Sequence, residues 1–389
     1  MIKRIFCAVF CVLFFGGLLC GCYDYSDIEN ELIVAGMAFD ITESENGEQL
    51  YLVTAEVVTL NSQSSGQGQG SHSALVQNAD KTPLAAIRGI MACSSKKLFF
   101  GHCKLIVLSS QVAQKGIAPI LDLVFRDREI RLLMDVIVAR GCKAHELLSV
   151  STVMSSIKSY EIVQTVKTVG KQYGTAPSVN VNELLNRIYN GSYSAKAPFF
   201  TVKKSTDGKD SYFLDGLAVF RNDELCGFVS SQNSSFCLLA SGEFESGTMT
   251  CTLPASSFPF TFNITDSSTN IDLERTDGGA ELTLKLDLTV SFTEIPDDLP
   301  FFSEKDTDLI VDQISKYISD NVFEVVKDTI DRYGTDIFRF LPKLLTVYPR
   351  YLSGFDSPEQ FLRTLKLKVE TNISAEDNGL SGGNFYSSE

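Results

Sequence analysis

Cys22 is the residue whose type and surroundings prescribe a reaction. It ends the run Leu19-Cys20-Gly21-Cys22 behind an apolar stretch, and a small-residue exit followed by a thiol is the bacterial lipobox pattern. The chemistry requires cysteine there, because only a thiolate takes a diacylglycerol thioether before a peptidase cuts behind Gly21. Other reactive groups are thinly spread. Of three histidines, His72 lies in a polar tract, and neither His102 nor His145 falls in an H-E-x-x-H or H-x-x-x-H frame. His145-Glu146 continues as Leu147-Leu148-Ser149, so a second zinc ligand is missing. No G-x-S-x-G elbow or Walker loop occurs, and Gly66, Gly68 and Gly70 have the wrong spacing for a phosphate loop. Asp297-Asp298 reads as solvated turn carboxylates. Arg126-Asp127-Arg128-Glu129 reads as a surface charge network, with a docking edge for a partner as its alternative. These residues predict no catalytic, cofactor or metal site and a protein that is not an enzyme.

Ten cysteines suggest an oxidised scaffold until they are placed. Cys7, Cys11 and Cys20 precede the cleavage site and Cys22 is the lipid acceptor. Cys93, Cys103, Cys142, Cys226, Cys237 and Cys251 remain, without any C-x-x-C, so neither zinc spacing nor a compact disulfide framework is indicated. Several sit in apolar strands as small hydrophobes, and whether any of them pair stays open.

What places Cys22 is the segment before it. Lys3 and Arg4 form a short positive region ahead of an apolar run, Ile5 to Leu19, the layout of a secretory signal over residues 1–21. That run makes about 22 Å of helix, short of the roughly 30 Å hydrocarbon layer, so a permanent span is not expected. The balance of 34 basic against 48 acidic residues gives a formal charge of −14. Such a surface argues against nucleic acid and against polybasic adhesion to anionic lipid. Attachment then depends on acyl chains, each buried methylene contributing about 0.8 kcal/mol and two chains sufficing for a stable anchor. The chain has no tryptophan, which weakens a sugar-binding reading.

With 389 residues the chain exceeds a single core, and two or three domains are expected. Residues 28–41 and 49–60 read as strands, the second apolar on both faces and therefore central. Residues 61–73 form a Ser/Gly/Gln tract that reads as a flexible loop. A helix from Thr82, a strand over 97–109, helical spacing over 112–124, a strand over 132–139 and a helix from His145 complete a mixed α/β unit in the order β-β-α-β-α-β. Residues 155–190 read as helical, broken at Gly170 and Gly174, and a strand over 197–203 leads to the polar stretch KSTDGKD. The boundary is placed there, giving units over 22–205 and 206–389, with residues 205–245 as a candidate small middle domain. A hairpin over 213–230 turns at Arg221-Asn222-Asp223.

Beyond it, Leu282, Leu284, Leu286, Leu288, Val290 and Phe292 alternate with polar residues as a half-buried strand. Residues 248–253 and 364–373 repeat this pattern, and antiparallel pairing is expected. Between them a helix runs from about Ser303 to Tyr333, about 42 Å long, with Val311, Ile314, Ile318, Val322, Val325 and Thr329 on one stripe. The fold class is thus α+β, or mixed α/β: a mixed N-terminal sheet with helices, then an antiparallel C-terminal sheet crossed by one long helix.

The stretches GCYDYSDIENELIVAGMAFD, LFFGHCKLIVLS followed by LVFRDREIRLL, FLDGLAVFRNDELCGF and LKLKVETNIS together resemble the Ger(x)C spore germination lipoproteins. The likeness runs from Cys22 to about Gly379 and departs at Tyr23, where the family usually carries tryptophan, and over Thr335 to Leu341. It implies a C subunit of a nutrient germinant receptor, a non-enzymatic lipoprotein of mixed α/β domains. Its implied partners are the A and B membrane subunits, its anchor a lipid such as diacylglycerol and palmitate on Cys22, and its place the outer face of the spore inner membrane. A solute-binding lipoprotein serving a transporter is the competing class, although such proteins usually alternate strand and helix through both lobes. An envelope hydrolase would need a nucleophile and base that the sequence does not offer.

Overall fold

The computed structural model describes residues 2–6, 10, 31–59, 72–94, 96–150, 155–190, 193–252, 259–276, 279–294, 304–347 and 358–376. Its first half is organised around β1 (Glu31–Glu43), whose residues Val34 to Asp40 are buried without interruption. Such a run of apolar residues on both faces needs cover on both sides. It pairs antiparallel with β2 (Gln49–Thr59), which pairs antiparallel with β3 (His72–Asp80). Helix α1 (Pro83–Ser94) follows, then β4 (Lys97–Phe99) and β5 (Leu105–Ser109), both parallel to β1 along the same edge. Helices α2 (Ser110–Lys115) and α3 (Ala118–Arg126) lead to β6 (Asp135–Ala139), parallel to β5. Then come α4 (Ala144–Ser149), α5 (Lys158–Thr165, continued by a π-turn over Val166–Gly170) and α6 (Val181–Asn190). Strands β7 (Lys196–Lys204), β8 (Asp210–Arg221) and β9 (Glu224–Ser230) complete a nine-stranded sheet in the order β3-β2-β1-β5-β6-β7-β8-β9, with β4 beside β1.

Helix α7 (Ser231–Ser241) crosses to a second, four-stranded sheet of β10 (Gly247–Thr252), β11 (Pro259–Thr276), β12 (Gly279–Glu294) and β13 (Lys366–Ala375). Helix α8 (Glu304–Tyr333) lies on this sheet, followed by α9 (Phe340–Val347) and α10 (Pro358–Thr364). Ile314, Ile318 and Val322 of α8 are fully buried against Leu282, Leu284 and Leu286 of β12 in one cluster. Each such side chain contributes roughly 1.5–3 kcal/mol through burial. Gly334 ends the helix in a left-handed conformation, φ 59°, its N–H donating to the Ile330 carbonyl at 2.8 Å, as helix-terminating glycines do.

Several elements differ from the expected ones. The strand expected over 97–109 is two strands, because the chain turns at Gly101-His102 and the Cys103 N–H bonds the Phe100 carbonyl. The helix expected over 112–124 breaks at Gly116, φ 108°, where Asp223 takes over: its carbonyl and carboxylate accept from the N–H groups of Ile117 and Ala118. Strand β3 begins inside the expected Ser/Gly/Gln loop, whose residues 61–71 lie outside the described residues. Strand β11 has no counterpart among the expected strands: after a register shift between Ile264 and Asp266 it continues through the polar run Asp266-Ser267-Ser268, paired with β12. Strand β13 pairs with β12 in parallel, not antiparallel, because α8 to α10 form a crossover that returns the chain to the end where β12 began.

The polar stretch Ser205 to Lys209, where the sequence places a boundary, is the turn of the β7–β8 hairpin within the first sheet. Leu217, Val219 and Val229 of that sheet share a core with α7 and the second sheet.

Candidate functional site

The sequence-derived residues do not converge. Cys22, Gly66, Gly68, Gly70, Asp297 and Asp298 lie outside the described residues. His72 opens β3, His102 sits in the β4–β5 turn against Phe99, and His145 begins α4. Asp40, buried on β1, lies 2.9 Å from the His145 Nδ1 and accepts from the N–H groups of Ala144 and His145. Asp40 therefore caps a helix, satisfying orphan N–H groups. Glu146 likewise turns back to the Lys143 N–H at 3.1 Å. Glu56 does the same work for α5, accepting from Lys158 N at 2.7 Å, Ser159 N at 2.8 Å and Ser159 Oγ at 2.5 Å. Among the described residues no group of three or more His, Cys, Asp or Glu could hold a metal ion, and no helix is long and apolar enough to cross a membrane. All six cysteines named above are free thiols. The Arg126 cluster is a surface network, with Arg126 on Asp122 at 2.7 Å and Glu129 on Lys97 at 2.6 Å.

The densest buried charge lies where the two sheets meet, and sequence reading missed it. Lys196 opens β7 with no solvent exposure. Its Nζ lies 3.1 Å from Glu243 Oε2 and donates to Ser241 Oγ at 3.0 Å and the Ile337 carbonyl at 3.2 Å. Glu243 follows the left-handed Gly242 that ends α7. Its other oxygen, Oε1, faces Arg339 Nη2 at 3.1 Å and Arg187 Nη2 at 3.6 Å, but takes no well-aligned hydrogen bond. Tyr193 stacks under both guanidinium groups. Asp336, buried beside them, accepts from the N–H groups of Phe338 and Leu341.

The electrostatics follow from this geometry. Burial pushes the Lys196 ammonium below its ordinary value, opposed by Glu243. Burial pushes Glu243 up, but Lys196, Arg187 and Arg339 outweigh it and hold the carboxyl low. Asp336 has no such excess of cations, and burial raises it despite its backbone N–H bonds. Arg339 sits in the left-handed region, φ 67°, a conformation that costs a non-glycine residue about 1–3 kcal/mol and persists only where surrounding contacts hold it. Lys196, between Ala195 and Ala197 in a buried strand, carries the signal that reading could have used: a cation at an inward position needs a buried counter-charge. The arrangement joins α6, β7, α7 and the loop before α9.

Beside this joint lies a cleft of about 420 Å³ lined by the π-turn, Gly174, Ala176, Pro177 and residues 243–246. Its lysines are engaged, Lys167 with Asp135 at 3.4 Å and Lys171 with Glu245 at 2.6 Å.

With the fold and joint described, comparison with known proteins is direct. The family described as "Spore germination protein N-terminal domain" matches residues 24–202, and the one described as "Spore germination B3/ GerAC like, C-terminal" matches residues 215–379. Spore germination protein KC of Bacillus subtilis (strain 168) is 24% identical over 228 residues, 52% of this chain and 53% of the relative. Spore germination protein B3 of the same organism is 24% identical over 264 residues, 67% of this chain and 68% of the relative. A putative spore germination protein, YfkR, aligns over 57% of each chain, so the matches to it and to protein KC span little more than half of those relatives. The crystal structure of the GerBC protein superposes on 90% of this chain and 100% of its own, with a TM-score of 0.57 and 18% identity, a likeness of fold. Two consecutive family matches over both sheets, and a shared fold, place the chain in the Ger(x)C family, the C-subunit family of germinant receptors that act in spore germination.

Proposed function

We propose that this chain is the lipid-anchored, non-enzymatic C subunit of a nutrient germinant receptor, held by acyl groups on Cys22 at the outer face of the spore inner membrane and assembled there with the A and B subunits. The observation that carries the reading is the lipobox in front of a chain that belongs to this family from residue 24 onward. Eight residues separate Cys22 from β1, a reach of at most about 32 Å when fully extended, so the first sheet would lie close to the bilayer. The buried joint supports a protein whose two sheets keep a set relationship, as a subunit presenting surfaces to neighbours requires. Replacing Cys22 with Ala tests the anchor: the chain should leave the spore membrane fraction and its receptor should lose its nutrient response. A variant that stays membrane-bound and fully responsive overturns the anchor. Affinity purification from spore membranes should recover A and B subunits, and recovery of neither overturns the assembly.

The cleft beside the joint is what the competing solute-binder would use. Its lining lysines are already paired with carboxylates, which disfavours capture of a free amino acid carboxylate there. Tight binding of an amino acid or sugar, seen as a rise in melting temperature, would reverse that preference.

A further inference from the structure

Beyond residue 10, the three most exposed large apolar side chains among the described residues are Leu133 (73% exposed), Tyr189 (65%) and Phe125 (64%). Single exposed apolar residues need no explanation. These three, however, lie at one end of the first sheet. Phe125 is in the last turn of α3 and Leu133 lies just before β6. The Leu132 carbonyl accepts from the Asn182 N–H in the first turn of α6, the helix that carries Tyr189, and the Tyr189 phenol lies near the Arg126 guanidinium.

The same end is where the chain enters the fold. Glu31, the first residue of β1, pairs in register with Lys97 of β4. Lys97 forms its ion pair with Glu129 in the turn after α3, which brings residues 126–133 level with the start of β1. The charge there is opposite to that of the chain. Lys96, Lys97, Arg126, Arg128 and Arg131 gather against Glu31, Asp122, Asp127 and Glu129, a small positive balance in a protein of net charge −14. Arg128 and Arg131 are exposed, and among the described residues neither has a carboxylate within ion-pairing distance.

An anionic lipid surface is complementary to this end and repels the acidic remainder, which sets an orientation. Screening over about 8 Å restricts the effect to charges at the contact. The overall acidity that argues against adhesion to anionic lipid therefore does not describe this face. We propose that this end of the first sheet is a membrane-docking face, with Phe125, Leu133 and Tyr189 entering the boundary between headgroups and acyl chains of an anionic phospholipid bilayer and Arg126, Arg128 and Arg131 meeting lipid phosphates. The proposal rests on the reading of Cys22 as a lipid anchor, which brings this end to the surface.

Because the chain contains no tryptophan, Phe125→Trp and Leu133→Trp each give a single reporter in the full chain, made in a host that lipidates it. Phe213→Trp is the control, since Phe213 pairs with Thr201 toward the opposite end of the sheet. The proteins are mixed with vesicles of phosphatidylcholine and phosphatidylglycerol carrying brominated acyl chains, and flotation is measured with and without Cys22→Ala. Docking predicts bromine quenching at 125 and 133 at least about threefold stronger than at 213, and weaker quenching when Arg128 and Arg131 are changed to Glu. Flotation that depends on Cys22, with all three sites equally quenched or unquenched, overturns docking and leaves the anchor standing, turning the face over to a protein partner. Equal flotation of the Cys22→Ala chain overturns the anchor, and selective quenching at 125 and 133 would still uphold docking. No flotation overturns both.

Discussion

The Lys196 ammonium lies 3.1 Å from the Glu243 carboxylate, and the two residues belong to different layers of the protein. Lys196 opens a strand of the first sheet, whereas Glu243 ends the helix leading to the second. Removing one partner of a buried pair leaves an uncompensated charge and costs about 3–5 kcal/mol. Lys196→Met and Glu243→Leu should each destabilise the chain by about 3 kcal/mol in urea unfolding. The double variant should cost clearly less than the two singles together, because contacting residues couple. Strict additivity would show that the pair does not act as a unit.

Acid should weaken this joint first. Burial raises the Glu243 carboxyl, but its three cations hold the folded value below the ordinary value of 4.5. A depressed folded value means that the unfolded chain takes up the proton more readily. The stabilisation is therefore present above about pH 4.5 and is lost as pH falls through the folded value. Asp336, raised by burial, contributes with the opposite sign, so the comparison must be made against Glu243→Gln. The parent-minus-variant stability should shrink as pH falls below about 4.5; a difference that stays constant on acidification would refute the assignment.

Gly227 on β9 makes a second connection between the halves. A Cβ there would lie 2.0 Å from the ring of Tyr333, the last residue of α8, whose hydroxyl donates to the Phe228 carbonyl at 3.0 Å. Gly227→Ala must displace that ring, and overpacking of this kind costs about 1–3 kcal/mol. Pairing it with Tyr333→Ala should recover part of the loss, measured as the unfolding midpoint. If the double variant is as unstable as the sum of both changes, the clash is not the cause.

Strand β12 and helix α8 were legible because their periodicity survives in the sequence. Leu282 to Val290 alternate and are buried as read, and Ile314, Ile318 and Val322 form the inner stripe of α8. Helix α7 was invisible for a physical reason: it is buried on nearly every side, so no polar face marks a helical period. The parallel pairing of β13 depends on the path of the crossover between it and β12, which strand patterning does not encode. The joint was hidden because Lys196, Glu243, Arg187 and Arg339 are far apart in sequence, and apart from Lys196 each alone looks like a surface charge.

The free thiols offer a test that also reports on Cys22. Burial pushes Cys103 and Cys237 up to about 12, and Cys142, Cys226 and Cys251 up to about 11. At pH 8 a thiol with a value near 11 is thiolate in only about one molecule in a thousand, and thiolate is the reactive form. Cys93 is the exposed member of the set. Brief alkylation of the native chain with iodoacetamide, followed by peptide mass spectrometry, should therefore modify Cys93 well ahead of the other five, which should react on unfolding. A cleaved and acylated Cys22 adds no alkylated site, because its sulfur is already a thioether. Rapid labelling at Cys237 would instead mean that the core between α7 and the second sheet opens in the native state, since that thiol has no other route to the reagent.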